Sequence, residues 1–325
     1  MTFMTGPEDH TLRKDPTIDA IVLQAPPDST RRAAAADSPA IARIIHQTYP
    51  TSNLPEDFRD AVDAVRTLNP EWEHRLYDDA DIERFIESEY PPTVLELYRR
   101  IDPRYGAARV DLFRYLVMFR CGGVYLDVKT EVRTPLREIL QDDDSFVSAH
   151  WRNEPDQVHP GFGKHPRLHW YPPGELQQWH IMAAAGHPFI EAVLRRVLWN
   201  IANYNPFKYG VGKLGVINLT GPVPYTEAIV PLLVAHPHRI ANSEEALGLG
   251  YSVFGDGARH KSLFAHHYSS LSAPIALVSP LVAGTYQMWY GLKQFGIACR
   301  EQFYALYRLL KRLWRANTTE SPGPA

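Results

Sequence analysis

The sequence predicts an α/β fold on a single, mostly parallel central sheet. Apolar runs of strand length alternate with segments of helical spacing between residues 41 and 128, the pattern of parallel strands joined by crossover helices. The longest of these helical segments is stopped by Gly122-Gly123 and followed at once by a β-branched and aromatic run at residues 124–128. The chain of 325 residues, 45% hydrophobic and 22% charged, is also long enough for one large core.

Residues 41–47 (IARIIHQ) read as the first buried strand. Residues 55–68 carry helical spacing at Phe58, Val62, Val65 and Leu68, and residues 72–77 read as a second strand ending in Asp78-Asp79. Two helices follow at 82–89 and 93–101, separated by Pro91-Pro92. Residues 105–120 form a longer helix with Ala108, Leu112, Tyr115, Leu116 and Phe119 near one face. Residues 150–180 hold five histidines and four Trp or Tyr residues among many prolines, which marks a long functional loop. Residues 193–201 are helical, 216–219 strand-like, and 290–315 one long amphipathic helix.

Composition excludes several classes. A net charge of −3 gives no electrostatic case for nucleic acid, and two cysteines give neither a disulfide framework nor a thiolate zinc site. Residues 1–40 contain no apolar core of signal-peptide length and read as a flexible leader, while 318–325 read as a disordered tail. The uncharged stretch between His267 and Lys293 is interrupted by Pro274, Pro280 and Gly284, so a packed C-terminal segment is favoured over a spanning helix.

The chemistry concentrates in residues 107–131 (AARVDLFRYLVMFRCGGVYLDVKTE). Asp111 and Arg114, three apart, share a helix face. Alternation along the following strand places Asp127, Lys129 and Glu131 on one side, at the carboxyl end where open α/β sheets bind ligands. Two carboxylates and two cations there suit hydroxyl groups and a diphosphate. Taken singly, the pair would be an ordinary surface ion pair.

The whole string resembles the DXD-containing sugar-binding region of glycosyltransferase family 32, which includes α-1,6-mannosyltransferases and inositol-phosphoceramide mannosyltransferases. The shared pattern stands here as Asp111, Arg114-Tyr115 and Gly122-Gly123-Val124-Tyr125-Leu126-Asp127-Val128-Lys129. Further similarities are Ile44-Ile45-His46-Gln47-Thr48, Asn69-Pro70-Glu71-Trp72, Leu76-Tyr77-Asp78-Asp79, residues 183–190, Thr220-Gly221-Pro222 and Phe264-Ala265-His266-His267. The resemblance implies an A-type glycosyltransferase fold, Rossmann-like, over residues 41–272, with a helical segment at 273–317. It also implies a retaining reaction. Asp111, Arg114 and Asp127 would hold donor sugar and ribose. His46, Gln47, Thr48, Tyr115, Gly122, Gly123, Tyr125, Thr220 and Gly221 would line the donor site. Asp127, Glu131, His266 and His267 would approach the diphosphate or a metal. The chain departs from the pattern at Lys129, which replaces the second Asp of the DXD and puts a Mn or Mg ion in doubt.

Trp151, His169, Trp170 and Trp179 are candidates for acceptor stacking. The basic amphipathic residues 293–315 fit a membrane surface as well as a packed helix. The expectation is a hexosyltransferase, mannose favoured, using GDP-mannose or a UDP-hexose on a glycan or glycolipid. It would act in the cytoplasm or at a membrane's cytoplasmic face. A non-catalytic sugar-nucleotide-binding protein and a sugar-nucleotide hydrolase are the rivals.

Overall fold

A computed structural model describes residues 40–254 and 271–318. The chain divides into two compact units, Met1–Leu277 and Val278–Ala325.

In the first unit β1 (Ile44–Thr48) leads to α1 (Glu56–Leu68), whose buried face is Phe58, Ala61, Val62 and Val65. After β2 (Glu73–Tyr77) come α2 (Asp79–Glu89) and α3 (Pro92–Arg100). Asp78 and Asp81 form a reciprocal capping box at the start of α2, satisfying two amide donors that would otherwise be unpaired. α4 (Gly106–Cys121) then delivers the chain to β3 (Gly123–Leu126). β4 (Glu131–Val132), α5 (Leu136–Ile139), β5 (Phe146–Ala149) and β6 (His180–Ala183) follow. The helical run α6 (Pro188–Ala202), α7 (Pro206–Tyr209), α8 (Gly212–Leu219) and α9 (Pro222–Ile229) precedes β7 (Arg239–Ala241) and β8 (Leu249–Gly250).

Six strands form the central sheet in the order β2-β1-β3-β6-β5-β7. β6 runs antiparallel to both neighbours, and the other pairings are parallel. The fold is therefore α/β with a mostly parallel central sheet, as the sequence predicts. The order reverses between β1 and β3, so the carboxyl ends of these parallel neighbours lie side by side, the place where open α/β sheets bind ligands.

The sequence expectations need four corrections. Helix α4 is not amphipathic: every residue from Asp111 to Phe119 is buried, because apolar side chains surround it and the protein covers it on all sides. Strand β3 ends at Leu126, and residues 127–130 turn, with the Thr130 amide donating to the Asp127 carbonyl at 2.8 Å. The alternation through Glu131 thus fails, and Glu131 instead pairs with Gly250 in a separate two-stranded sheet. Residues 216–219 belong to helix α8; a four-residue apolar run cannot by itself distinguish strand from buried helix. Strands β5 to β8 were not anticipated.

Gly122 and Gly123 have φ of 63° and 97°, a region hostile to side chains. A Cβ on Gly122 would sit 2.5 Å from the Ala185 nitrogen, and one on Gly123 would sit 2.5 Å from the Ile44 carbonyl oxygen. Only glycine lets helix α4 turn this sharply into the sheet.

The second unit contains α10 (Pro280–Thr318), 39 residues and about 58 Å long at the α-helical rise. Leu281, Met288, Leu292 and Phe295 fall on one stripe of it and are exposed. Among the described residues no helix is long and apolar enough to cross a membrane.

Candidate active site

Three charged side chains meet where α4 and the end of β3 converge. The Arg114 guanidinium lies 3.3 Å from the Asp111 carboxylate and 3.2 Å from that of Asp127. A second Arg114 nitrogen donates to the Gln178 carbonyl at 2.6 Å, and the guanidinium carbon sits 4.7 Å from the centre of the Tyr125 ring. Asp111 and Arg114 are nearly inaccessible, at 4% and 5% exposure. Asp127 keeps 23% of its side chain exposed, so it is the one of the two carboxylates that a ligand can reach.

The floor beneath this trio is hydrogen-bonded in several directions. Thr220 donates its hydroxyl to Asp111 at 2.9 Å, and its carbonyl accepts from the Tyr115 hydroxyl at 3.0 Å. Gln178 donates to Asp111 at 3.3 Å and accepts from Tyr115. The Asp127 amide donates to the Trp179 carbonyl at 2.8 Å. Gln178 and Trp179, just before β6, therefore tie α4 to the end of β3, and Thr220 at the end of α8 joins the same network through Asp111 and Tyr115. Sequence reasoning missed Gln178, because an isolated glutamine in a loop carries no pattern.

Burial sets the electrostatics. It pushes the Asp111 carboxyl up to about 6, with Asp127 adding to the rise while Arg114 and the Thr220 hydroxyl oppose it. Burial would depress the Arg114 guanidinium, but Tyr125, Asp127, Asp111 and Tyr115 more than offset that and hold it above its ordinary value. Burial also raises the Tyr115 and Tyr125 hydroxyls, which stay neutral. Two carboxylates sharing one buried guanidinium leave acceptor capacity facing outward at Asp127, which suits sugar or ribose hydroxyls.

Lys129 lies apart from this trio, half-buried, with its ammonium 4.0 Å from the centre of the Tyr251 ring. Tyr251 meets Trp151 and Trp179 edge-on at 5.1 and 5.7 Å. A cation held by an aromatic face keeps its charge available to an incoming anion.

Several expected donor-side residues serve the core instead. His46 is fully buried, with its ring nitrogens 3.0 Å from the Tyr77 hydroxyl and 3.0 Å from the Gly122 carbonyl. Burial lowers it to about 3, so it is neutral. Gln47 is likewise enclosed and meets His74 at 2.7 Å, while Thr48 meets the Tyr125 hydroxyl at 3.0 Å. These three sit on β1, which pairs with β2 along its length and with β3 at Ile45 and His46, and their side chains are engaged inside the protein. Gly122, Gly123 and Tyr125 position the chain rather than line an opening. Gly221 caps α9 with its backbone packed against Val216 and Ile217.

Two acceptor candidates are corrected for the same reason. Trp151 and Trp179 belong to the hydrophobic core, and Trp151 donates to the Glu175 carboxylate at 2.6 Å. His169 is exposed and Trp170 half-buried, so both can still meet a ligand.

The described residues do not fit a divalent metal. Lys129 occupies the position of the second motif carboxylate, Glu131 is paired with Arg133 at 2.6 Å, and Asp127 is engaged by Arg114. No group of three or more His, Cys, Asp or Glu side chains among the described residues could hold an ion. His266 and His267 lie outside the described residues.

Residues 55–146 match the family model described as a glycosyltransferase sugar-binding region containing a DXD motif. The chain is 29% identical to inositol phosphoceramide mannosyltransferase 3 of Schizosaccharomyces pombe over 57% of its own length and 44% of that protein. It is 32% identical to mannosyl phosphorylinositol ceramide synthase SUR1 of Saccharomyces cerevisiae, over 31% of the chain and 25% of the relative. With the initiation-specific α-1,6-mannosyltransferase of Candida albicans it shares 27% identity, over 50% and 44%. The chain thus spans less than half the length of these relatives. Among solved structures, PaToxG glycosyltransferase aligns over 81% of this chain and 92% of its own, at 16% identity and a TM-score of 0.41.

Proposed function

We propose that this chain, which carries the sugar-binding region of the DXD-motif glycosyltransferases, is a retaining hexosyltransferase. It moves a hexose, mannose first among the candidates, from a nucleoside-diphosphate sugar to a glycan or glycolipid acceptor. The observation that carries this reading is the buried Asp111–Arg114–Asp127 trio, which lies inside the matched region at the carboxyl end of β3. Asp127 accepts from hydroxyls of the donor, and Arg114, itself held by Asp111 and the Gln178 carbonyl, orients that carboxylate. The acceptor hydroxyl oxygen bonds to the anomeric carbon on the face from which the diphosphate departs. The bond from carbon to phosphate oxygen breaks, and the hydroxyl proton passes to the departing phosphate. The test offers GDP-mannose, UDP-glucose and UDP-galactose and follows nucleotide release. No release from any of them, with folded protein, contradicts the reading.

The leaving diphosphate needs positive charge. Lys129 supplies it in our account, in place of a metal held by the second motif carboxylate. An ammonium about 4 Å from a divalent ion would oppose it by roughly 4 kcal/mol per unit of ionic charge at an effective dielectric of 20, so the two exclude each other at one spot. Initial rate after exhaustive chelation decides the matter. A rate that survives supports Lys129; a rate abolished by chelation and restored by manganese restores the metal.

The exposed stripe of α10 and the cations Lys293, Arg300 and Arg308 support a peripheral contact with anionic membrane, and hence work at its cytoplasmic face. Co-sedimentation of the full chain with vesicles containing phosphatidylserine, against neutral vesicles, tests this. Equal recovery with both contradicts it.

A further inference from the structure

Lys129 is held by a segment far along the chain. Glu131, its neighbour in sequence, is taken by Arg133, and Lys129 forms no ion pair with a described residue. Its ammonium rests instead on the Tyr251 ring, 4.0 Å from the ring centre. Tyr251 is fixed on both sides. Gly250 before it pairs with Glu131, and after it the Val253 amide donates to the Lys129 carbonyl at 2.9 Å. Phe254 then meets Phe58 of α1 edge-on, with ring centres 5.3 Å apart. The backbone therefore sets lysine and ring in register.

The ring itself is gripped by two buried tryptophans. Trp151 and Trp179 stand near the two ends of the loop from β5 to β6 and meet Tyr251 at interplanar angles of 81° and 70°. Edge-to-face contacts of this kind fix the tilt of the ring. Trp179 also accepts the Asp127 amide at its carbonyl, at 2.8 Å, so the ring and Asp127 are both referred to one residue. A lysine in a turn would otherwise extend into water on a stem free to rotate. Held on the ring, one side of the ammonium meets the aromatic face, and its other N–H groups are left for an anion.

Resting on the assignment of Lys129 to the leaving diphosphate, we propose that Tyr251 is the positioning residue for that cation. Its ring holds the ammonium in one place before the donor arrives and throughout transfer. Charge developing on the diphosphate then meets a cation already oriented, with no reorganisation at the moment of reaction. The aromatic face does this, and the Tyr251 hydroxyl has no part in it. Because the face attracts a cation through its quadrupole, the effect follows the electron density of the ring rather than its size.

The test varies that density alone. Tyr251→Phe in the full chain is the parent of a series with mono-, di- and trifluorinated phenylalanine at position 251, which weakens the face while nearly keeping its shape. Along the series kcat for nucleotide release should fall stepwise, by about three- to thirtyfold in all, the scale of one cation–π contact. Affinity for GDP or UDP, read by calorimetry, should fall in parallel. In a Lys129→Ala background both series should be flat. Tyr251→Phe should also recover the rate that Tyr251→Leu loses. A flat series beside a Lys129→Ala that loses rate overturns the positioning role and leaves the lysine assignment standing. So does a series equally steep without the lysine, or a Tyr251→Phe as slow as Tyr251→Leu. Unchanged rate and affinity in Lys129→Ala would sink the lysine assignment and the proposal with it, as would a wild type that binds neither diphosphate. If no nucleotide is released, the transferase reading fails while the affinity series still decides the role of Tyr251.

Discussion

Arg114 and Lys129 are both cations of the candidate active site, yet their surroundings are opposite. Arg114 is closed in by two carboxylates, a carbonyl and an aromatic ring, and almost none of it meets solvent. Lys129 rests on Tyr251, half-buried, just past the point where β3 ends. The difference separates two tasks. A buried guanidinium held between two carboxylates and a carbonyl builds a fixed frame for neutral hydroxyls, and its removal is a structural event. An ammonium on an aromatic face can turn towards a diphosphate when charge develops there.

That contrast can be broken in order of expected effect. Arg114→Met should cost about 3–5 kcal/mol of stability, because Asp111 is left buried without its cation. Urea unfolding measures it, and a loss below about 1 kcal/mol would mean that the trio is not a frame. Lys129→Ala should keep stability within about 0.5 kcal/mol. Its kcat should fall by roughly 10²-fold, the scale of one lost electrostatic donor. Lys129→Asp should recover part of that rate only with manganese. If both lysine variants unfold like the arginine variant, the two cations share one structural role and the contrast fails. Gln178→Ala should be milder, about 1–3 kcal/mol, since it half-unpairs Asp111 and Tyr115 without removing a charge.

The smallest effect concerns pH. Asp111 lies at about 6 in the fold against an ordinary 3.8, so it takes up a proton as pH falls through 6. That uptake favours the folded state: its contribution is full below 3.8 and lost as pH rises through 6. The buried neutral histidines His46 and His180, both lowered to about 3, act oppositely. Their contribution is present above 6.5 and lost as pH falls towards 3. Activity should therefore decline with an apparent midpoint near pH 6 while circular dichroism still reports a folded protein. A rate flat to pH 5 would show that Asp111 need not be ionised.

Most of this frame was legible in the sequence because its signals are local. Helix α4, the paired glycines and Asp127 lie within one continuous stretch, and their order alone places a carboxylate at a strand end. What escaped was decided by distant contacts. Gln178 and Trp179, just before β6, reach the trio across the sheet, and nothing in an isolated Gln-Trp-His marks an antiparallel strand. His46 and Trp179 carry functional-looking side chains, but central strand position and core packing enclose them. Glu131 was misplaced by carrying alternation through a turn that the sequence does not announce. The Lys129–Tyr251 contact joins distant parts of the chain and has no motif at all.

The claim on which the rest depends is that Asp127 is the exposed carboxylate of a donor site. Thermal unfolding with and without saturating sugar nucleotide, on wild type and on Asp127→Asn, addresses it directly. Ligand at a hundred times its Kd stabilises the native state by about 2.7 kcal/mol, a shift of a few degrees for a domain of this size. Wild type should show that shift with at least one of GDP-mannose, UDP-glucose and UDP-galactose. Asp127→Asn, equally stable without ligand, should lose most of it. An undiminished shift in the variant would place the donor elsewhere and contradict the account.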